Sequence, residues 1–265
     1  MEKIKVLVAG ACGKMGREVV KAVLQDDALQ LVSAVDQMNM AKDIGELIGN
    51  GPIGVMIGAE LEAEIKRGQP QVMVDFTTPD SVMANLRQAL RMGVHAVVGT
   101  TGLKPENLKE LSELCLTNKV NALVAPNFAI GALLMMRFAA QAAKYFPQVE
   151  IIELHHNQKL DAPSGTSIKT AEMILAGRGE PSVIALGEEK IKGVRGGDMG
   201  GIHLHSIRLP GLIAHQEVIF GGEGQTLTIR HDSLSRESFM PGVIIAIKKI
   251  ASQPGLTYGL DELLF

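Results

Sequence analysis

The stretch that decides the fold reads Ile4-Lys-Val-Leu-Val-Ala-Gly10-Ala-Cys-Gly13-Lys-Met-Gly16. A mostly apolar and β-branched run leads into a glycine turn, and residues 17–24 continue with helical periodicity. The order strand, glycine turn, helix is typical of dinucleotide binding, because a pyrophosphate can approach a helix N-terminus only where residues lack a Cβ. Cys12 stands where the commonest form of this motif has its second glycine, so an ordinary glycine-rich turn is the alternative.

An acidic residue follows the next predicted strand. Leu29 to Val35 reads as that strand, and Asp36 ends it about 20 residues after the turn, where a carboxylate would accept hydrogen bonds from the adenosine ribose. Gln37 comes next, where an Arg would favour a 2′-phosphate. The charge pattern therefore favours NADH, although Lys14 could attract the phosphate of NADPH. A simple cap at a strand end is the other interpretation of Asp36.

Residues 72–125 alternate between short apolar runs and amphipathic segments. This alternation predicts right-handed crossovers and a doubly wound parallel sheet, whose ligands collect at the carboxyl ends of the strands. Three loops at such ends carry small or hydroxylated residues suited to a nicotinamide and its ribose, and ordinary turns are the alternative. They are Asp75–Pro79, Gly99–Gly102 and Ala125–Phe128. Cys12, at a helix N-terminus, could have a lowered pKa, but a nucleotide loop is an unusual place for a nucleophile, so catalysis by Cys12 is not predicted.

The second half contains Glu153-Leu-His-His-Asn-Gln-Lys-Leu-Asp-Ala-Pro-Ser-Gly-Thr166. A predicted strand leads into it, and in an extended strand His155 and His156 would face opposite ways. Imidazole suits proton transfer near neutral pH, and the ammonium of Lys159 can bind a carboxylate or polarise an imine. The amides of Gly165 and Thr166, at a predicted helix start, would bind an anion. The stretch therefore predicts the chemical centre and a small carboxylated substrate.

Other interpretations of these side chains stay open. A bland surface loop is one. A metal site built from His155, His156 and Asp161 is another, although it lacks a recognised ligand spacing. His203 and His205 could chelate a metal together or could simply lie on a sheet surface. No metal is predicted.

The remaining pattern predicts two domains, residues 1–126 with 236–265 and residues 127–235. The second is an α+β domain with a mixed or antiparallel sheet, one face of which could pair subunits. Gly187 to Gly201 is rich in glycine and contains basic residues. It is either a mobile loop that closes over an anion or a plain linker. Ser238 to Ile250 reads as a final helix packed on the first domain.

Composition excludes several function classes. The chain has 265 residues, 26 basic and 29 acidic, a net charge of -3 and 3% aromatic residues. Such a chain offers neither the positive field nor the stacking platforms for nucleic acid. Its apolar runs stop well short of the roughly 20 residues of a membrane span. The 2 cysteines are far apart in sequence, so we expect no disulfide framework and a cytoplasmic location.

Taken together, the motifs resemble the dihydrodipicolinate reductase family, also called 4-hydroxy-tetrahydrodipicolinate reductases. The resemblance covers nearly the whole chain. It rests on the glycine turn, Asp75-Phe-Thr, Val98-Gly-Thr-Thr-Gly102, Ala125-Pro-Asn-Phe128 and, most specifically, the Glu153–Thr166 motif. It implies a Rossmann-type nucleotide domain completed by the C-terminal helix, a substrate domain whose sheet builds a homotetramer, and NAD(P)H-dependent reduction of a small cyclic dicarboxylate in lysine and diaminopimelate biosynthesis.

The resemblance also implies residue roles. His155 would donate or accept a proton, Lys159 would be a second donor, and His156, Gly165 and Thr166 would bind substrate carboxylates. Gln37 stands where some members carry Arg, so NADH is the predicted cofactor and NADPH the alternative. The residues expected to hold the cofactor are Gly10, Ala11, Cys12, Gly13, Lys14, Met15, Asp36, Gly99, Thr100, Thr101, Ala125, Pro126, Asn127 and Phe128.

Two other functions are alternatives for this sequence. Another two-domain dehydrogenase, such as one acting on aspartate semialdehyde, would need an activated Cys in the second half, and both cysteines lie before residue 116. A dinucleotide-sensing module without turnover would bind NADH but reduce nothing. The complete His-His-Lys set argues against that module.

Overall fold

The structure, a computed structural model, describes residues 2–178 and 187–265. The chain forms two compact units. Unit 1 comprises Met1–Phe128 and Phe239–Phe265, and unit 2 comprises Ala129–Ser238. The breaks lie within a few residues of the predicted domain limits, and the ligand assigned to each domain stays a prediction.

The helices and strands alternate along most of unit 1. Its first part contains β1 (Ile4–Ala9), α1 (Lys14–Gln25), β2 (Leu29–Val35), α2 (Ile44–Leu47), β3 (Ile57–Gly58), α3 (Leu61–Gly68), β4 (Val72–Asp75), α4 (Pro79–Arg91), β5 (His95–Val98), α5 (Pro105–Asn118) and β6 (Ala122–Val124). Unit 2 contains α6 (Ile130–Ala142), β7 (Gln148–His155), α7 (Gly165–Gly177), β8 (Gly197–Met199), β9 (Ile202–Arg208), β10 (Ala214–Gly222) and β11 (Gln225–Ser233). The chain then continues through a 3-10 helix (Arg236–Phe239), α8 (Met240–Lys249), a second 3-10 helix (Ile250–Ser252), β12 (Leu256–Tyr258) and α9 (Asp261–Leu264).

Unit 1 is built on a parallel sheet of seven strands in the order β12-β6-β5-β4-β1-β2-β3. Val6, Leu7 and Val8 of β1 are fully buried, as expected for a strand covered on both faces. The core on one face joins β1 and β4 to α3, α4 and α5, while α1 packs against β1, β2 and α8. The order reverses between β1 and β4, which is where parallel sheets bind ligands.

Unit 2 is built on a mixed sheet of five strands in the order β11-β10-β7-β9-β8. β7 and β9 are parallel, and the other neighbours are antiparallel. Along β7, Val149, Ile151 and Glu153 are buried while the residues between them are partly exposed. Both α6 and α7 pack in this unit. The predicted fold class, a Rossmann-type parallel sheet plus an α+β unit with a mixed sheet, is confirmed.

Three segments differ from the sequence predictions. The final helix does not run from Ser238 to Ile250, because a 3-10 helix precedes α8 and Pro241, which has no N–H to give, lies in the first turn of α8. The short strand β12 was not predicted at all. The predicted loop 187–201 contains β8, and Glu189 within it accepts hydrogen bonds from the amides of Gly193 and Arg195.

Candidate active site

The glycine turn of unit 1 connects β1 to α1 at the carboxyl edge of the sheet. Gly10 has φ +78°, and a Cβ there would lie 2.5 Å from the carbonyl oxygen of Phe76. A Cβ at Gly16 would overlap the carbonyl oxygen of Gly10. Gly13 is the N-cap of α1 and is exposed. The turn therefore keeps a backbone cradle at a helix N-terminus, which suits the pyrophosphate of a dinucleotide.

Asp36 lies beside this turn, where the sequence predicted it. Its Oδ2 accepts a hydrogen bond from the Cys12 amide at 2.9 Å, and its Oδ1 accepts one from the Met38 amide at 2.9 Å. These bonds fix the plane of the carboxylate, and each oxygen has a second lone pair for a ribose hydroxyl. The Gln37 amide group donates to the carbonyl of Ala59. This geometry fits NAD(P)H.

Cys12 lies in the glycine turn. Burial, followed by the charge of Asp36, raises the pKa of this thiol, so the lowering that a helix N-terminus could cause is outweighed. Its Sγ donates to the Met38 carbonyl at 3.2 Å, and its own carbonyl accepts from Arg17 Nε at 2.9 Å. A neutral, buried thiol is a poor nucleophile. The structure thus gives Cys12 no role as a nucleophile, and its contact with the cofactor stays a prediction.

The other predicted cofactor loops meet around Asp75, which sequence reasoning gave no role of its own. Asp75 is fully buried, and its carboxylate accepts hydrogen bonds from Thr77, Asn85 and Thr100. Thr100 Oγ1 donates at 2.9 Å. Asp75 therefore joins the loop after β4 to the loop after β5.

An aromatic contact extends the same edge to the loop after β6. The rings of Phe76 and Phe128 lie 5.8 Å apart, and a Cβ at Gly99 would overlap the ring of Phe76. All the predicted cofactor-binding segments of unit 1 thus lie along one edge of the sheet, and their contact with a cofactor stays a prediction.

In unit 2, β7 delivers His155 at its last position. Glu153 and His155 are two residues apart on this strand and share one face. The His155 Nδ1 and the Glu153 carboxylate form a short hydrogen bond. His156 follows the strand, and its Nδ1 is buried and has no hydrogen-bond partner among the described residues. A buried polar atom left in this state calls for an explanation, and the predicted binding of a substrate carboxylate gives one.

Lys159 lies in the loop that follows β7. Its Nζ donates to both carboxylate oxygens of Asp161 at 2.8 Å. That ion pair lowers the pKa of Asp161, chiefly through the hydrogen bond from Lys159. The backbone carbonyl of Asp161 accepts a hydrogen bond from Arg208 Nη2 at 2.7 Å, so the loop is attached to β9.

The predicted anion site is the start of α7. Ser164 is the N-cap, and its Oγ accepts from the Ser167 amide at 3.2 Å. Gly165 is exposed, with open space where a Cβ would be. Below this turn Ser167 Oγ donates to Gln216 Oε1 at 3.0 Å, and Gln216 Nε2 donates to Thr170 Oγ1 at 2.7 Å. These buried bonds fix the first turn of α7 on the sheet.

The structure thus places the predicted residues of unit 2 on one segment that runs from the end of β7 to the start of α7: His155, His156, Lys159, Gly165 and Thr166. Sequence reasoning missed the residues that support this segment. They are Glu153, Ser167, Arg208 and Gln216. Only Glu153 gave a signal, as a charged residue inside an apolar strand.

The two metal interpretations receive no support. Within residues 2–178 and 187–265, no group of three or more His, Cys, Asp or Glu is placed to hold a metal ion. His205 Nε2 instead pairs with Glu150 at 2.8 Å. In the same described ranges, no helix has both the length and the apolar character needed to span a membrane.

Comparisons with known proteins decide the family. Residues 4–128 match the family model described as dihydrodipicolinate reductase, N-terminus, and residues 131–264 match dihydrodipicolinate reductase, C-terminus. The chain belongs to the dihydrodipicolinate reductase family. The family resemblance, the oxidoreductase class with NAD(P)H as cofactor, and the role in lysine and diaminopimelate biosynthesis that the sequence predicted are thereby confirmed.

Individual relatives of the family agree over the full length. The chain is 56% identical over 270 residues to the 4-hydroxy-tetrahydrodipicolinate reductase of Desulfitobacterium hafniense, covering 100% of both chains. It is 52% identical to the same enzyme of Moorella thermoacetica, covering 98% of each. A solved dipicolinate-bound dihydrodipicolinate reductase from Paenisporosarcina sp. TG-14 is 46% identical, with a TM-score of 0.85 and coverage of 98% of this chain and 99% of that one.

Proposed function

We propose that the chain catalyses the NAD(P)H-dependent reduction of 4-hydroxy-tetrahydrodipicolinate to tetrahydrodipicolinate. The observation that carries the proposal is the segment between β7 and α7, which places an imidazole, an ammonium and a helix N-terminus on one stretch of unit 2. The names of the relatives and the dipicolinate bound in the Paenisporosarcina enzyme support a cyclic dicarboxylate as substrate.

The reaction replaces a hydroxyl group by hydrogen. Bound NAD(P)H supplies the hydride, and a proton must reach the leaving hydroxide so that it departs as water. His155 and Lys159 are the groups of unit 2 that can hold and transfer this proton. The ammonium of Lys159 also attracts the carboxylates of the substrate, and His156 and the start of α7 bind them.

Asp161 takes part in a binding step that precedes the reduction. It holds the Lys159 ammonium through both carboxylate oxygens. Because an incoming carboxylate offers the same kind of acceptor, we propose that the substrate takes over this ammonium from Asp161. The exposed Asp161 side chain can then return to water at little cost.

The test of the reaction is a kinetic assay with purified protein, NADH and freshly synthesised substrate, following NADH oxidation. We expect turnover in the wild type. Lys159→Ala and His155→Ala should each lower kcat by about 100-fold or more, in the range of general acid–base effects, while NADH still binds. Leu160→Ala, a change at a neighbouring exposed residue, is the matched control and should keep full activity. NADH binding without any turnover in the wild type would favour the sensing module instead.

We further propose NADH as the preferred cofactor. The carboxylate of Asp36 is held beside the turn and repels a 2′-phosphate, and Gln37 supplies no positive charge. The ratio of kcat/KM for NADH to that for NADPH should exceed one. Asp36→Ala should lower the ratio by about tenfold, as expected for a charged hydrogen bond of about 1.5 kcal/mol. Asp27→Asn, at an exposed carboxylate before β2, is the control and should leave the ratio unchanged. If Asp36→Ala also left the ratio unchanged, the proposal would be refuted.

A homotetramer assembled through the sheet of unit 2 is also proposed. β11 is nine residues long, lies at an edge of that sheet and pairs only with β10 among the described strands. Long uncovered edge strands favour pairing with another chain. Light scattering coupled to size-exclusion chromatography measures the assembly directly, and a monomeric mass would contradict this proposal. The cytoplasmic location stays a prediction from the sequence.

A further inference from the structure

Glu153 is a buried charge directly behind the proposed proton carrier. Its side chain is fully buried. One oxygen, Oε2, meets His155 Nδ1 and accepts from Arg208 Nη1 at 2.9 Å, and the other, Oε1, accepts from Arg208 Nη2 at 2.7 Å. A buried carboxylate is costly unless it is paired and hydrogen-bonded. Placing one here therefore needs a reason beyond packing.

Arg208 reaches this carboxylate because of strand register. β7 and β9 are parallel, and Arg208 pairs with His155 across them. The guanidinium holds Glu153 with two parallel hydrogen bonds, the strongest geometry for such a pair. On the other side of β7, the residues of β10 opposite Glu153 and His155 are Gln216 and Ala214, which are uncharged.

The same guanidinium holds the Lys159 loop. Arg208 Nη2 donates both to Glu153 and to the backbone carbonyl of Asp161, whose carboxylate binds the Lys159 ammonium. One partly buried cation thus lies between the two groups proposed to carry protons. A shift of Arg208 would displace both.

We propose that Glu153 and Arg208 are positioning residues for the reaction. Glu153 holds His155 by Nδ1, so that Nε2 is the ring nitrogen that gives or takes the substrate proton. Arg208 holds Glu153 and, through Asp161, the loop of Lys159. The proposal rests on the function stated above. In the neutral imidazole, Nδ1–H donates to Glu153 and Nε2 accepts; when protonated, both nitrogens donate.

Kinetics distinguish positioning from mere stabilisation. The variants are Glu153→Gln, which keeps reach but removes charge, and Arg208→Lys, which keeps charge but removes the paired hydrogen bonds. Each should lower kcat about 10- to 100-fold, the range for partners that orient a functional imidazole, with KM for substrate changed by less than about threefold.

Glu150→Gln is the matched control. Glu150 lies on the same strand and also pairs with a histidine and an arginine, His205 and Arg195, but it is partly exposed and belongs to no proposed site. It should keep kcat and KM. If Glu153→Gln and Arg208→Lys only reduced the amount of folded protein, with kcat per folded molecule unchanged, both residues would be structural and the proposal would be wrong.

Nitrogen NMR separates this proposal from the proposed function. With ¹⁵N-labelled histidine, His155→Ala identifies the His155 signals among those of the 7 histidines. The wild type should show neutral His155 protonated at Nδ1, and Glu153→Gln should shift it towards a mixture of tautomers. This result does not depend on turnover. An Nδ1-protonated His155 in an inactive wild type would refute the function alone, whereas protonation at Nε2 would overturn the positioning role. If Glu153→Gln does not fold, the kinetics of Arg208→Lys and the tautomer of His155 in the wild type still test the positioning role.

Discussion

Because of Glu153, the free energy of unfolding of unit 2 depends on pH. Burial alone would raise the pKa of this carboxyl, but hydrogen bonds from His155, Arg208 and Ser206 outweigh burial and lower it from 4.5 to about 2. A carboxylate with a lowered folded pKa stabilises the fold fully above its unfolded pKa. That contribution is lost as the pH falls through the folded value. A lowering of this size corresponds to at most about 3 kcal/mol.

We therefore expect the free energy of unfolding of unit 2 to fall between pH 4.5 and about 2 by up to this amount more in the wild type than in Glu153→Gln. Urea unfolding at each pH, followed by deuterium pulse labelling at one fixed pH and mass spectrometry of β7 peptides, measures unit 2 alone. Glu150→Gln should keep the wild-type slope. Equal slopes for the wild type and Glu153→Gln would show that the Glu153 carboxylate is not stabilised in the fold.

Single residues also show how far sequence reasoning reaches. His155 and Lys159 could be found because they lie four positions apart in one motif. Arg208 could not, because it meets Glu153 across 55 residues of chain and only the pairing of β7 with β9 brings them together. The direction of the Cys12 pKa shift was out of reach for a similar reason. A helix N-terminus lowers a thiol pKa, but burial and the charge of Asp36, neither visible in the motif, raise it.

The helix α7 owes the placement of its first turn to one buried glutamine. Gln216 is 4% exposed and bridges Ser167 and Thr170. Replacing it by Leu keeps the volume but removes the hydrogen bonds that Gln216 makes to these two buried hydroxyls. Such a loss costs about 1–3 kcal/mol.

For Gln216→Leu we expect a lower free energy of unfolding of unit 2 by this amount and a several-fold higher KM for the dicarboxylate substrate, because the anion-binding turn loses its support. Steady-state kinetics and urea unfolding check both. KM for NADH should not change. Gln148→Leu makes the same substitution at an exposed position of β7 and should alter neither quantity. An unchanged substrate KM in Gln216→Leu would mean that the turn is held by other contacts.

Elements were predictable where the local pattern was strong. The alternation predicted over residues 72–125 is such a case, and α4 and α5 each begin at a Pro, a residue that favours the first turn of a helix. β8 and β12 each have three residues, too few for an alternation to be read, and they exist because β9 and β6 offer backbone partners. The start of α1 at Lys14 could not be predicted either, because the helical periodicity of the sequence begins only at residue 17. It follows from the reversal at Gly10 and the capping position of Gly13.

Unit 1 is made from two distant parts of the chain. After unit 2, α8 returns to pack on α1, and β12 extends the parallel sheet beside β6. The side chain of Asn121 connects the two parts. Its Nδ2 donates to the carbonyl of Ile250 at 2.9 Å, and its Oδ1 accepts from the Gly255 amide at 3.1 Å. The last residues therefore belong to the core of unit 1.

A close approach of α8 to the end of the first part, at Gly242 and Phe128, tests whether the fold of unit 1 depends on the returning chain. A Cβ at Gly242 of α8 would overlap the backbone carbonyl of Phe128, a predicted cofactor residue. In an ordinary helix Gly→Ala stabilises by about 1 kcal/mol, but here the added methyl meets backbone that cannot rotate away, and overpacking costs about 1–3 kcal/mol. We expect Gly242→Ala to destabilise unit 1, measured by pulse labelling of β1 peptides, and to weaken NADH binding by calorimetry, while β7 peptides of unit 2 keep their protection. Gly187→Ala, where a Cβ meets open space, should change neither unit. A stabilised Gly242→Ala would mean that helix propensity outweighs the contact and that α8 can move away from Phe128 at little cost.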